Sequence, residues 1–195
     1  MPRIAYVNGR YVAHADASVH IEDRGYQFAD GVYEVCEVAR GFIVDMPRHL
    51  GRLNRSLAEL SIEWPVTRGV LPLILREVVR RNHVVNGLVY VQVTRGVASR
   101  DFVFPANAKP SLVVTARKAD PAAAVKRAET GIKVITVPEN RWDRVDIKTV
   151  GLLPNVLAKQ KAKEAGAQEA WFVDSDGMVT EGGSSNAWIV PTDGG

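Results

Sequence analysis

Cysteine is nearly absent from this chain of 195 residues. Cys36 stands alone, so no disulfide can close within the chain, and a reducing compartment, the cytoplasm, is the expected setting. Charge of one sign is scarce as well. Lys and Arg number 25 against 22 Asp and Glu, giving a formal net charge of +3 with no run of five like charges. Nucleic-acid tails and polybasic membrane anchors both need concentrated charge, so neither is expected as a partner surface. The opening Met1-Pro2-Arg3-Ile4 lacks an apolar run of signal-peptide length, and no stretch approaches the roughly 18 apolar residues of a membrane span. His14, His20, His49 and His83 share no ligand spacing, so no metal site is expected. Gly-x-Gly-x-x-Gly and Walker loops, a serine nucleophile elbow, internal repeats and low-complexity segments are all missing. What is present, 46% hydrophobic and 24% charged residues, is ordinary for a soluble protein mixing helices and strands.

The first third reads as strands and turns. Ile4–Val7 and Arg10–Ala13 flank Asn8-Gly9, a dipeptide that accepts the positive φ values of a type I′ hairpin turn. Residues 31–38 alternate with period two, putting Val32 and Cys36 on one face and Tyr33, Val35 and Glu37 on the other. Arg40-Gly41 then turns into Phe42-Ile43-Val44. Leu50, Leu53, Leu57 and Leu60 predict a helix from about Pro47 to Leu60, and Leu71, Ile74, Leu75, Val78 and Val79 predict a second. Strands return at 88–94 and 111–117, separated by a polar and aromatic loop from Arg95 to Pro105. Ala119-Asp120-Pro121 is the best boundary, dividing an N-terminal α+β domain, 1–118, from a second domain begun at 119–195. After it come a short helical piece, a strand at 131–137 and a helix over about 153–165 ending at Gly166. A hairpin across Asp174–Gly177 joins 169–173 to 178–180, and Ala187–Pro191 reads as a last strand.

With metal, nucleotide and serine chemistry set aside, lysine, arginine and one Gly/Ser-rich loop remain. Lys148 lies in the apolar-flanked stretch Asp146-Ile147-Lys148-Thr149-Val150. A desolvated lysine loses its proton more readily and can form a Schiff base, whereas a strand lysine pointing to solvent has no such role. Arg52 stands on the polar side of the leucine-rich helix, either as a surface arginine or as an anion site. Thr180-Glu181-Gly182-Gly183-Ser184-Ser185-Asn186 offers backbone N–H groups and hydroxyls that suit phosphate, or forms a plain loop.

Six segments occur in order that together resemble the class IV (fold-type IV) pyridoxal-phosphate aminotransferases, and the D-amino acid aminotransferases most closely. They are Glu22–Glu34, His49–Ser56, Gln92–Gly96, Asp146–Lys148, Leu152–Gln160 and Val179–Asn186. The resemblance implies a two-domain α+β fold whose second, cofactor-binding domain is incomplete here. It implies pyridoxal 5′-phosphate as cofactor, attached to Lys148, whose amine then shuttles the substrate proton. Glu181 would pair with the pyridine nitrogen and Arg52 would clamp the phosphate, with Ser184, Ser185 and Asn186 lining the cofactor's surroundings. Tyr33 and Arg100 would grip the substrate carboxylate, the arginine reaching in from the other subunit of a homodimer. The family has a histidine two residues after that arginine, where this chain has Phe102, which exchanges a polar group for apolar surface. Aromatic donors and (R)-amines therefore join D-amino acids as test substrates, with a 2-oxo acid as acceptor. An aminodeoxychorismate lyase, a branched-chain L-amino acid aminotransferase and an inactive fragment are the alternatives on the same scaffold.

Overall fold

The computed structural model describes residues 3–192, which group into two units: residues up to 122 together with 146–151, and 123–145 together with the residues from 152 onward. The first unit opens with β1 (Ile4–Val7) and β2 (Arg10–Ala13), joined as predicted by Asn8 and Gly9 at φ +45° and +93°. The five-residue helix α1 (Arg24–Phe28) follows, too short to show a periodic stripe in the sequence. Its N-cap Asp23 accepts the backbone N–H of Gly25 at 2.9 Å. Then come β3 (Gly31–Ala39), β4 (Phe42–Ile43), α2 (Met46–Glu59), α3 (Leu71–Arg81), β5 (Gly87–Thr94) and β6 (Ser111–Lys118). The six strands form one sheet in the order β2-β1-β6-β5-β3-β4, antiparallel throughout.

Both long helices cover the same apolar face, α2 lying on β3 and α3 on β1, β5 and β6. The leucine stripe explains the first contact. Leu53 and Leu57 are buried beside Val32, Cys36 and Val38, and each fully buried leucine contributes about 1.5–3 kcal/mol of transfer free energy. Gly96, at φ +96°, follows β5 where a side chain would overlap the Lys109 carbonyl, so only glycine lets the next loop start there.

Residues 146–151 join this unit, although the sequence boundary at 119 places them beyond it. The reason is backbone pairing. Lys148 O accepts the N–H of Tyr33 at 3.0 Å, Gly31 O accepts the N–H of Val150 at 3.1 Å, and Ile147 is buried in the apolar core.

The second unit takes most of α4 (Pro121–Thr130), with β7 (Val134–Pro138), α5 (Leu153–Glu164), β8 (Glu169–Val173) and β9 (Val179–Gly182). β7 and β8 are parallel, and β8 and β9 form the predicted hairpin. α5 packs through Ala158 and Ala162 and ends at Gly166, whose φ of +66° is that of a helix C-cap glycine. The expected strand at Ala187–Pro191 does not form. A strand exists only where another pairs with it, and Trp188, Ile189 and Val190 are 86–89% exposed. Among the described residues, no helix is long and apolar enough to cross a membrane.

Candidate active site

β3 does most of the positioning in the first unit, because consecutive residues of a strand point to opposite faces. Tyr33 turns away from the helices. Its ring stacks on Tyr90 across the β3–β5 pair, with centroids 5.6 Å apart, and the Lys148 amine stands 4.6 Å from its centroid. Burial, with the neighbouring Tyr33, pushes the Tyr90 hydroxyl up to about 12, and it donates to Gln92 Oε1 at 2.7 Å. Lys148 is half-buried rather than a solvent-facing strand lysine, and its backbone N–H donates to Ser56 Oγ at 3.4 Å. Ser56 lies one turn beyond Arg52 on α2. Three of the residues expected at the site, Tyr33, Lys148 and Arg52, are therefore tied to one strand and one helix.

Glu34 points the other way, into the core, and has no exposed surface. It accepts from Arg52 Nε and Nη2 at 2.6 and 2.7 Å and pairs with His49 Nδ1 at 2.8 Å. That pairing is the main reason the Arg52 guanidinium holds its proton more firmly than usual. Burial, and next the Glu34 carboxylate, push the Cys36 thiol up to about 12, so Cys36 is a packing residue and not a nucleophile. The role of Glu34 was missed in the sequence, though a signal was there: it falls on the same side of the alternation as Val32 and Cys36.

A second buried ionic cluster supports the loop after β5. Arg95 donates through Nε and Nη2 to the two carboxylate oxygens of Asp30, at 2.7 and 3.0 Å, and to the Ser61 and Leu60 carbonyls at 3.1 and 2.7 Å. Arg24 donates to Asp30 at 2.7 Å and reaches the Asp101 carbonyl at 2.5 Å. Arg100 lies over the Phe28 ring at 4.6 Å, and Phe102 packs against the same ring while remaining 81% exposed. The loop thus sits on α1 of its own chain, whereas Tyr33 sits under Lys148.

In the second unit, Glu181 is half-buried on β9 and accepts the N–H of Gly182 at 3.0 Å. Ser184 and Ser185 each donate to Glu169 Oε2, at 3.0 and 2.9 Å, and Lys159 Nζ and the Ala170 N–H meet Oε1 at 3.0 and 2.8 Å. Burial pushes the Glu169 carboxyl up, but these four donors outweigh it and hold it below its usual range. An ionised carboxylate only accepts, so both hydroxyl protons are spent on it. Neither hydroxyl proton is therefore left for another acceptor in this arrangement. Asn186 is exposed.

Nearby, hydrogen bonding from Arg141, against burial and with help from Thr180, holds the Glu139 carboxyl at about 2 rather than 4.5. A depressed carboxylate stabilises the fold above its unfolded value and ceases to do so as pH falls through its folded one. Melting curves are therefore expected to show Glu139→Gln well below the unsubstituted chain at pH 6, with the difference closing between pH 4.5 and 2. A gap independent of pH would assign Glu139 no such role.

The first unit thus sets a half-buried lysine beside a tyrosine and an arginine against a buried carboxylate, on an antiparallel sheet backed by two helices. The class IV amino-transferase family model matches residues 31–194, and the chain belongs to that family. Its relatives include the D-alanine aminotransferase of Bacillus licheniformis, 42% identical over 175 residues that cover 90% of this chain and 61% of that one. That of Listeria monocytogenes is 41% identical over 165 residues, covering 84% and 57%. The chain thus spans about three fifths of the length of these curated relatives. The branched-chain aminotransferase of Thermoproteus uzoniensis, solved with norvaline, matches with a TM-score of 0.85 at 21% identity, covering 98% of this chain and 66% of that one. The Escherichia coli branched-chain enzyme gives 0.81 at 20%, covering 94% and 63%. At such identities the likeness is one of fold, and it bears out the expected fold-type IV architecture.

Proposed function

We propose that the protein transfers the amino group of D-amino acids to 2-oxo acids with pyridoxal 5′-phosphate as cofactor. The observation that carries this reading is the group held by β3 and α2: the Lys148 amine above Tyr33, with the Arg52 guanidinium fixed on Glu34. These donors fit the cofactor's functional groups. A primary amine suits its aldehyde, and a guanidinium suits its phosphate. When bound, the cofactor supplies an electron sink for the charge left when the substrate Cα loses its proton.

The chain's own residues do the rest. Lys148 Nζ would take the proton from the substrate Cα, and Arg52 would hold the phosphate. Glu181 would pair with the ring nitrogen, and Ser184, Ser185 and Asn186 would line the cofactor's surroundings. Those second-unit roles rest on the resemblance to the family. Tyr33 receives the substrate carboxylate together with Arg100 from the second subunit of a homodimer. The exposed Phe102 beside Arg100 favours apolar donors there. The D preference is supported by relatives at 38–42% identity named D-alanine aminotransferase, whereas the branched-chain enzymes share the fold at 20–24%.

The test is the half-reaction of the cofactor-loaded protein with D-alanine, L-alanine and L-leucine, followed by the cofactor's absorbance. D-alanine is expected to react fastest. A faster change with L-leucine would overturn the D-amino acid reading.

A further inference from the structure

Glu34 stands where packing alone asks for an apolar side chain. Val32, Cys36 and Val38 share its face of β3, and it is completely buried among them. A carboxylate is costly at such a place, and a well-packed hydrophobic residue commonly serves stability as well or better. What Glu34 supplies is direction. Two parallel bonds, at 2.6 and 2.7 Å, fix the plane of the Arg52 guanidinium, and His49 at 2.8 Å holds the carboxylate from a third side. β3 pairs with β5 from Gly31 to Val38, placing Glu34 opposite Val91, so the acceptor itself cannot drift. The bonds use Nε and Nη2. The Nη1 edge of the fork is left for an outside anion, on a side chain that is 43% exposed.

We infer that Glu34 is a positioning residue for anion recognition, holding Arg52 by its Nε edge so that Nη1 meets the cofactor phosphate in a fixed orientation. This rests on the reading of Arg52 as the phosphate's guanidinium. Two effects oppose each other here. The negative charge of Glu34 repels a phosphate, while a pre-fixed arginine gives up no rotamer freedom when the phosphate arrives. The charge of Arg52 itself offsets that of Glu34, and orientation is the effect that dominates.

The experiment compares the affinity of the full chain for pyridoxal phosphate with that for pyridoxal, which lacks the phosphate. Their ratio isolates the phosphate's contribution from any loss common to both ligands. Arg52→Ala is expected to abolish that ratio. Glu34→Gln is expected to lower it roughly 2- to 10-fold, the equivalent of freezing one long side chain on binding. Glu34→Asp, with its charge kept but its reach shortened by one methylene, is expected to lower it too and carries the test if Glu34→Gln does not fold. A ratio unchanged or raised in the Glu34 variants, with Arg52→Ala still abolishing it, overturns the positioning role alone. A wild-type ratio in Arg52→Ala overturns the reading of Arg52 itself. If neither Glu34 variant folds, Glu34 is a structural residue and the inference falls.

Discussion

Lys148→Ala is expected to lower amino transfer by roughly 10²–10⁴-fold, the range associated with one positioned general base. The argument is geometric. Lys148 is anchored through its backbone on both sides, by Tyr33 N–H and by Ser56 Oγ, and its amine stands 4.6 Å from the centre of the Tyr33 ring. Alanine keeps those backbone bonds and removes the side chain beyond Cβ, the amine included. Folding should survive, and cofactor should still bind through its other contacts while turnover is lost. Borohydride reduction of the loaded protein, followed by digestion, is expected to leave a pyridoxyl group on the peptide containing residues 146–148. The lysines of α5 are the internal controls, since Lys159 Nζ is already held by Glu169 and the Gln168 carbonyl. A label on Lys159, Lys161 or Lys163, or a Lys148→Ala variant with normal turnover, would remove Lys148 from the mechanism.

The largest effect on stability is expected at Arg95. Its side chain is 7% exposed and makes four hydrogen bonds, two to Asp30 and one each to the Ser61 and Leu60 carbonyls. Arg95→Ala leaves both carbonyls without that donor and Asp30 with Arg24 as its remaining arginine. Losing one partner of a buried ionic network costs about 3–5 kcal/mol, and in a chain of this size each kcal/mol lowers Tm by roughly 2–4 °C. A drop of roughly 6–20 °C is therefore expected in a thermal melt. Arg95→Lys should recover little of it, because a single ammonium cannot serve Asp30 and two separate carbonyls in the geometry of the guanidinium fork. A melt within 2 °C of wild type for Arg95→Ala would refute this account.

Much of the fold was legible because its signals are local. Asn8-Gly9 fixed one turn, and the leucine spacing of α2 and the alternation of β3 marked a helix and a strand whose apolar sides face each other. The pairing of 148–150 with β3 was not legible, since backbone bonds between segments more than a hundred residues apart leave no periodic trace. Ala187–Pro191 failed for the converse reason: its apolar run satisfies strand propensity, but pairing depends on a neighbour that the run does not contain. The candidate site followed the same division. Lys148, Arg52 and Tyr33 were named from motifs, whereas Glu34, His49 and the Arg24–Asp30–Arg95 cluster act through side-chain pairs 6 to 65 residues apart that follow no helix or strand period. The two serines were named for their hydroxyls, and only the carboxylate of Glu169 at the start of β8 shows those protons to be taken.

The alternation of β3 sets a limit on how this protein can vary. Tyr33 serves one side of the sheet and Glu34 the other, so inserting or deleting a single residue before them would exchange the faces they occupy, turning the carboxylate to the side that now carries the phenol and the phenol to the apolar side. Length changes are thus disruptive along β3 and better tolerated at the exposed Arg40-Gly41 tip, beyond the pair, where both residues already have positive φ. A directed-evolution library that seeks new amino donors should accordingly keep the spacing from Gly31 to Glu34 invariant and place its diversity, including insertions, in the exposed 102–104 segment.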